Sequence, residues 1–436
     1  MARTAYQLRE SQVRTPPAVI SLFWKLVRDR RPKLGRVLDL GAGDTRFAAG
    51  GHFTRYDGVE IDANASIGVR LPNTVRVFTT CAFAFEAKGY DACIGNPPYV
   101  RHHDVEPRWR LRVNSQIEHE LGIKLQGIGN LYLYFLCLAL MKTRADGLVA
   151  LILPFEWVSR PSAAPIRDYI DQQRWSVSVF RFQDMIFDGV LTTASVNIID
   201  KTATPTGWKF FDVSPDLEVM PRRGVSGSRF SILPYSPRAK LWARRGISPG
   251  GQKIFALTDA ERQRAGLAQC DVLPCVTSLK NLPSSLARLD KQSFQKNFVA
   301  AGKRCWLVKS TGDNISQRVK AYLAKIPKSE RQTYACRHQD PWYKYETPPI
   351  PHILFHSGFM KRSPKVLVNS IGAQAVGAVY GVHGMKPQRL QDLRTYLAEF
   401  DFESRVVAHA KTLRKVEVAQ LNTVLSRWQK AEARHG

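Results

Sequence analysis

Acidic residues are scarce in this chain. Its 436 residues hold 37 Asp plus Glu against 64 Lys plus Arg, a formal net charge of +27 with a pI near 10.0. An imbalance of that size points to a polyanionic partner and away from a basic one. Cysteine is also sparse: Cys81, Cys93, Cys137, Cys270, Cys275, Cys305 and Cys336 form an odd set with no paired C-x-x-C spacing. Neither a disulfide framework nor a zinc site is suggested, and reduced thiols in a cytoplasmic protein are the expectation. No apolar run reaches the roughly 18 residues that suggest a membrane span. The longest, Leu131 to Met141, is too short, and no basic start followed by an apolar core precedes a cleavage site. No membrane partner and no metal are therefore expected. A complete G-x-G-x-x-G is missing as well, which disfavours a dinucleotide cofactor.

What remains is an ordinary globular composition, 44% hydrophobic and 23% charged, in a chain long enough for two or three domains. The charge is unevenly placed. Residues 1–200 carry 25 Lys plus Arg against 20 Asp plus Glu, whereas residues 201–436 carry 39 against 17. The first half alternates apolar β-type runs with helical stretches, the pattern of a doubly wound α/β domain. Expected strands are Arg36 to Leu40, Tyr56 to Ile61, Tyr90 to Ile94, Gly147 to Leu153, Ser176 to Phe182 and Thr193 to Ile199. Expected helices are Ala18 to Arg30, Asn130 to Lys142 and Pro161 to Gln173. The rhythm fades between Lys201 and Gly251, where the inter-domain connection is expected, giving domains 1–235 and 236–436. Beyond it, Trp306 to Lys309, His352 to His356, Lys365 to Asn369 and Ala375 to Tyr380 read as short strands, and Pro387 to Glu432 as helical. The second domain is thus expected to be α+β.

Chemistry concentrates at three places. Val37-Leu38-Asp39-Leu40-Gly41-Ala42-Gly43-Asp44 is a strand entering a glycine turn, and Gly41 and Gly43 permit close approach of a ligand. Glu60, at the end of the next expected strand, can accept hydrogen bonds from both hydroxyls of a ribose. Asn96-Pro97-Pro98-Tyr99 follows a third strand. An exocyclic amino group on an aromatic ring is a poor nucleophile because its lone pair is delocalised into the ring. Accepting its two hydrogens through the Asn96 side-chain oxygen and the Pro97 carbonyl localises that lone pair. Pro97 and Pro98 stiffen the turn, and Tyr99 offers a face on which a planar substrate stacks. A plain proline turn explains Pro-Pro alone but not all four residues in this context.

With these motifs the chain resembles the S-adenosylmethionine-dependent amino-methyltransferases, and most closely the gamma-class N6-adenine DNA methyltransferases. The resemblance extends through most of the chain, with the motifs in the gamma order. It implies that Thr15 and Pro16, in Arg14-Thr15-Pro16-Pro17, contact the cofactor together with Asp39, Gly41, Gly43 and Glu60. Gly129-Asn130-Leu131-Tyr132, with Phe135, resembles the helix behind the cofactor pocket. Phe187, in Met185-Ile186-Phe187-Asp188, matches the aromatic residue that packs on the target base opposite Tyr99. Thr80 departs from the pattern, standing where the family usually has an acid on the cofactor's adenine amino group. Residues Asp271 to Leu282 and Lys411 to Leu421 loosely resemble parts of a target-recognition domain.

The resemblance implies a monomeric, site-specific DNA adenine N6-methyltransferase that turns its base out of double-stranded DNA, either as the modification enzyme of a restriction-modification system, whose cognate restriction endonuclease would act separately, or as an orphan methylase. Its cofactor is S-adenosyl-L-methionine. RNA amino-methyltransferases and protein glutamine methyltransferases share the tetrapeptide and are the rival readings. A non-catalytic DNA-binding protein explains the basic half but not the tetrapeptide.

Overall fold

Nine strands of the N-terminal half assemble into one sheet in the computed structural model. They are β1 (Leu34–Leu40), β2 (Phe53–Glu60), β3 (Val75–Thr79), β4 (Tyr90–Gly95), β5 (Thr143–Pro154), β6 (Ser176–Phe182), β7 (Ala194–Asp200), β8 (Trp208–Val213) and β9 (Val219–Pro221). Their spatial order is β3-β2-β1-β4-β5-β7-β6-β8-β9. Helices α1 (Pro17–Arg28), α2 (Pro107–Leu121), α3 (Leu131–Lys142) and α4 (Ala164–Gln172) accompany it. The structure describes residues 14–65, 70–100, 105–125, 130–184, 186–187, 193–202, 207–222, 233, 236, 238–311, 315–360, 363–403, 405–406, 408–410 and 413–435. Gly129, Met185, Asp188 and Lys411, which belong to the motifs named above, lie outside them.

The central strands read as near-continuous apolar runs because both their faces are covered, as the burial of every residue from Gly147 to Pro154 shows. β1, β2, β3, β4 and β5 are mutually parallel where they pair. The sheet is not parallel throughout, because β7 inserts between β5 and β6 and runs antiparallel to both. The short interval between Phe182 and Ala194 leaves no length for a crossover helix, so an antiparallel return is the accessible connection.

Three elements correct the sequence expectations. β3 has only Val75 buried, so it lacks the apolar run that marks its neighbours. α2 buries only Val113 and Ile117 among the many charged residues of its 15, too thin a stripe to stand out. β8 lies inside the stretch assigned to the inter-domain connection, pairing parallel with β6 through Val177↔Trp208 to Phe182↔Val213.

The chain divides into two compact units, the first running to Ile232 and the second from Leu233 to Val407 and from Thr412 onward. The second contains β10 (Trp242–Arg245), β11 (Ala256–Leu257), β12 (Val272–Val276), β13 (Arg288–Leu289), β14 (Trp306–Val308), β15 (Ile353–His356), β16 (Gly358–Phe359), β17 (Val366–Asn369), β18 (Gln374–Ala375) and β19 (Val379–His383). All but β16 form a five-stranded sheet, β10-β19-β15-β17-β13, and a four-stranded one, β11-β14-β12-β18. With helices α5 (Gln317–Ala324), α6 (Leu390–Glu399) and α7 (Val418–His435), this unit is α+β. The stretch expected to be helical from Pro387 to Glu432 is interrupted. Helix α6 ends where Phe400 turns extended, Phe402 is fully buried in the core, and Leu413–Lys415 pairs antiparallel with β16. Asp271, at the start of the segment likened to a recognition domain, is a structural fastener. Its carboxylate accepts from Arg318 Nε at 2.6 Å, Ser316 Oγ at 2.7 Å and the Ala268 amide at 2.8 Å.

Candidate active site

Parallel pairing puts the carboxyl ends of β3, β2, β1 and β4 side by side, the edge at which open α/β sheets bind ligands. Each of these strands delivers one candidate group at or just beyond its end: Thr80 after β3, Glu60 on β2, the Gly41 loop after β1 and Asn96 after β4. The register fixes their relative heights, with Glu60 opposite Thr79 and Asp39 opposite Ile94.

The glycine loop is shaped by left-handed backbone at Gly41 (φ +82°) and Gly43 (φ +54°), a conformation that costs glycine little. The Gly41 and Ala42 amides donate to the Val59 carbonyl at 2.8 and 3.0 Å, fastening the loop to β2. Glu60 is buried, and its two carboxylate oxygens accept from the Gly43, Ile61 and Asp62 amides at 2.8 to 2.9 Å. A carboxylate has about four lone-pair sites, so one remains for a ribose hydroxyl. A Cβ placed on Gly41 would meet Pro98 Cδ and Phe135 Cε1, each at 3.9 Å. The cofactor-type loop, the tetrapeptide and α3 therefore converge on one point. The Leu131 amide at the start of α3 donates to the Val100 carbonyl at 3.0 Å, securing the helix to the chain just past Tyr99.

Asn96 is held from the N-terminal segment. Its Nδ2 donates to Thr15 Oγ1 at 3.2 Å, and Thr15 is itself only 3% exposed. Asn96 Oδ1 is enclosed and has no hydrogen-bond partner. A buried acceptor left unmade costs roughly 1–3 kcal/mol, so it marks a place where a donor is expected. Pro16 caps α1 in extended conformation with Pro17 at the first helical position, and makes no polar side-chain contact. The Tyr99 hydroxyl donates to the Ile152 carbonyl at 3.2 Å. Its ring meets those of Tyr132 and Phe187 edge to face, with centroids 6.3 and 6.4 Å away and interplanar angles of 75° and 77°. Phe187 is 3% exposed, packed into the first unit's core. The two rings expected to clamp a base are neighbours, but not a parallel pair. Thr80 donates its amide to the Glu60 carbonyl at 2.9 Å and keeps its side chain partly exposed.

Sequence reasoning missed three contributors. Tyr56 donates its hydroxyl to Asp39 Oδ2, which leaves Asp39 Oδ1 buried and unpartnered. Gly95, with φ +135°, gives that oxygen its space: a Cβ there would sit 2.4 Å from it. Arg46 grips the Asp44 carboxylate, with Nε 2.7 Å from Oδ1, and donates from Nη1 to the Thr15 carbonyl at 2.7 Å. A glycine directly before Asn96 was the only local signal among these; the other contacts link residues far apart in sequence. Among the described residues no group of three or more His, Cys, Asp or Glu could hold a metal ion, and no helix is long and apolar enough to cross a membrane.

Burial pushes the Asp39 carboxyl up to about 7, opposed by the Tyr56 hydroxyl and assisted by the negative charges of Glu60 and Asp44. An acid whose folded value is raised binds its proton more tightly when folded. Its contribution is fully present below the unfolded value of about 3.9 and is lost as pH rises through about 7. Asp39→Asn, which retains an acceptor for Tyr56, is therefore expected to raise the melting temperature more at pH 8 than at pH 5. A gain independent of pH would contradict a buried charge as its source.

Residues 55–187 match the family described as Eco57I restriction-modification methylase, and residues 239–398 match the C-terminal domain of type II methyltransferase M.Eco57I. Type II methyltransferase M.XamI of Xanthomonas campestris pv. amaranthicola is 26% identical over 421 residues, covering 87% of this chain and 77% of that protein. Type II methyltransferase M.AccI of Acinetobacter calcoaceticus is also 26% identical, over 296 residues, and the match takes in 59% of this chain and about half, 53%, of that protein. Among solved structures, the type IIL restriction-modification enzyme MmeI, determined in complex with DNA, superposes with a TM-score of 0.59 at 12% identity, over 92% of this chain and 64% of that one. That likeness places the fold. The chain is thus similar, in this order, to the catalytic and C-terminal domains described for Eco57I-type restriction-modification methylases, over residues 55–187 and 239–398.

Proposed function

We propose that the chain methylates DNA, and specifically the N6 amino group of adenine at a defined sequence, using S-adenosyl-L-methionine. The observation that carries this reading is the enclosed, unpartnered Asn96 Oδ1 at the end of β4, in a tetrapeptide whose Pro98 stands where a side chain on Gly41 would meet it. The cofactor fits the neighbouring residues. Asp39 Oδ1 is a second enclosed acceptor without a partner, suited to an ammonium group. Gly41 and Gly43 bring no side chains of their own into the loop, and Glu60 retains capacity for a ribose. When bound, the cofactor supplies an electrophilic methyl group on a sulfonium.

The protein's own part is to prepare the amine. Asn96 Oδ1 and the Pro97 carbonyl accept its two hydrogens, drawing the nitrogen towards tetrahedral geometry and localising its lone pair. Tyr99 stacks on the base. Phe187, edge-on to Tyr99, is assigned to pack on the base opposite it. Adenine, rather than another planar amine, follows from the gamma-class resemblance. The chemistry itself serves any exocyclic amine of this kind.

The second half supplies the DNA contacts in this reading. Its net charge of +22 over residues 201–436 suits phosphate binding, with residues 236–436 as the target-recognition domain and 1–235 as the catalytic one. Counterion release then makes duplex affinity fall by about 10³-fold or more between 50 and 200 mM salt, for six or more phosphate contacts. Fluorescence anisotropy on a labelled duplex reads this directly, and a flat response would remove the second half as the DNA-binding surface. The acceptor class is tested by incubating the protein and methyl-labelled cofactor with duplex DNA, structured RNA and a glutamine-containing protein in parallel. Label is expected in DNA alone; label in RNA or protein instead would overturn the reading.

A further inference from the structure

The N-terminal segment does more than border the cofactor loop. An Asn side chain presents either an oxygen or an NH2 group to a partner, and the two orientations are nearly equal in shape. Only the orientation that offers oxygen can accept hydrogen from a target amine. The reverse would face that amine with a second donor and give no activation. The amide must also be held in place, and in this structure the side chain that holds it lies outside the tetrapeptide.

We infer that Arg46 and Thr15 form a brace that holds the Asn96 amide in place by its Nδ2, leaving Oδ1 for the target amine, and that both are positioning residues for methyl transfer. Thr15 Oγ1 takes the Asn96 Nδ2 proton at 3.2 Å, which leaves Oδ1 as the group without a partner. Thr15 is in turn held by its backbone, because Arg46 Nη1 donates to its carbonyl at 2.7 Å. Arg46 is itself fixed by a two-pronged grip on the Asp44 carboxylate, through Nε and Nη2. A planar guanidinium suits this, since one fork serves the carboxylate while another nitrogen reaches a carbonyl.

Asp44 belongs to the glycine loop, and its neighbour Thr45 is locked in left-handed backbone at φ +60° with its amide on the Ala42 carbonyl at 2.8 Å. The brace thus runs from the cofactor-type loop through Arg46 and Thr15 to Asn96, across three segments far apart in sequence. Each link is a hydrogen bond to a buried or half-buried group, where such bonds define geometry best. Supporting partners of this kind are worth about 10–100-fold when removed from metal sites, and an effect of similar size is expected here.

The inference rests on the methyltransferase reading, and the experiment separates the two. Single-turnover methyl transfer to duplex DNA is measured at saturating cofactor for the wild-type protein, Thr15→Val, Thr15→Ser and Arg46→Lys, with cofactor affinity measured calorimetrically on the same samples. Thr15→Val keeps the shape but loses the acceptor, so its rate at saturation is expected to fall about 10–100-fold, with cofactor affinity changed much less. Thr15→Ser restores the acceptor and is expected to recover most of that loss. Arg46→Lys keeps the charge but cannot hold both partners, and is expected to lower the same rate. Retained cofactor binding reports an intact fold. Loss of cofactor affinity with an undiminished rate at saturation would overturn the inference, leaving Thr15 as a cofactor contact only; so would a Thr15→Ser variant no better than Thr15→Val. A wild-type protein that transfers no methyl group to DNA would instead overturn the reading beneath it.

Discussion

Asn96→Ala is expected to lower single-turnover methyl transfer by at least about 10²–10³-fold, the scale on which removing one preorganised hydrogen-bonding group from a catalytic site acts. The size follows from where the acceptor sits. Asn96 Oδ1 is enclosed and unpartnered in the free protein, so its bond to the amine displaces no competing partner and is made in a site from which water is largely removed. The Pro97 carbonyl remains in the variant but can take only one of the two amine hydrogens. Binding should survive, because the DNA contacts are assigned to the second half and the cofactor groups to Asp39, Glu60 and the glycine loop. Rapid-quench assays at saturating cofactor and DNA measure the rate, and calorimetry the cofactor affinity. Near wild-type transfer by this variant would remove Asn96 from the mechanism.

The second large effect is expected at a position with no side chain. Gly95→Ala places a Cβ 2.4 Å from Asp39 Oδ1 and 3.5 Å from the Leu40 carbonyl, at a backbone φ of +135° that an L-residue rarely adopts. The backbone strain alone is of order 1–3 kcal/mol. The clash adds to it, because Asp39 is 1% exposed and its other oxygen is tied to Tyr56, so the carboxylate cannot simply move aside. The substitution therefore acts on two sites together. It bends the chain immediately before Asn96 and displaces the acid assigned to the cofactor. A lower urea midpoint with an unchanged slope, together with weakened cofactor binding, is the expected result. A variant with wild-type stability and affinity would show that the strand end is far more pliable than its packing indicates.

How much of this was written locally in the sequence differs from element to element. β1, β4, β5, β6 and β7 were legible because buried sheet strands are apolar runs bounded by turn residues. β3 was not, since its Val-Arg-Val-Phe-Thr stretch is half exposed and its strand state comes from pairing with β2. Helix α2 was hidden by its charged surface, and the break between α6 and α7 by apolar spacing that suits a helix but is satisfied by the second unit's core instead. The antiparallel placement of β7 is a property of topology, which periodicity does not carry.

The site divides along the same line. Asp39, Gly41, Gly43, Glu60 and Asn96 to Tyr99 could be picked out as candidates because each proposed role resides in a short run of residues. The Tyr56 hydroxyl on Asp39 and the Arg46 link to Thr15 were not, because a Tyr in a strand and an Arg after a loop have many ordinary uses until folding brings them to their partners. The same holds for Phe187, whose proximity to Tyr99 was expected but whose edge-on orientation was not.

The most direct test of the central claim is nucleoside mass spectrometry of unmethylated duplex DNA after incubation with the purified protein and isotope-labelled S-adenosyl-L-methionine. The label is expected in N6-methyladenosine of the deoxy series, absent when Asn96→Ala replaces the wild-type protein. Label in N4-methylcytosine or 5-methylcytosine, or in no nucleoside at all, would contradict the account.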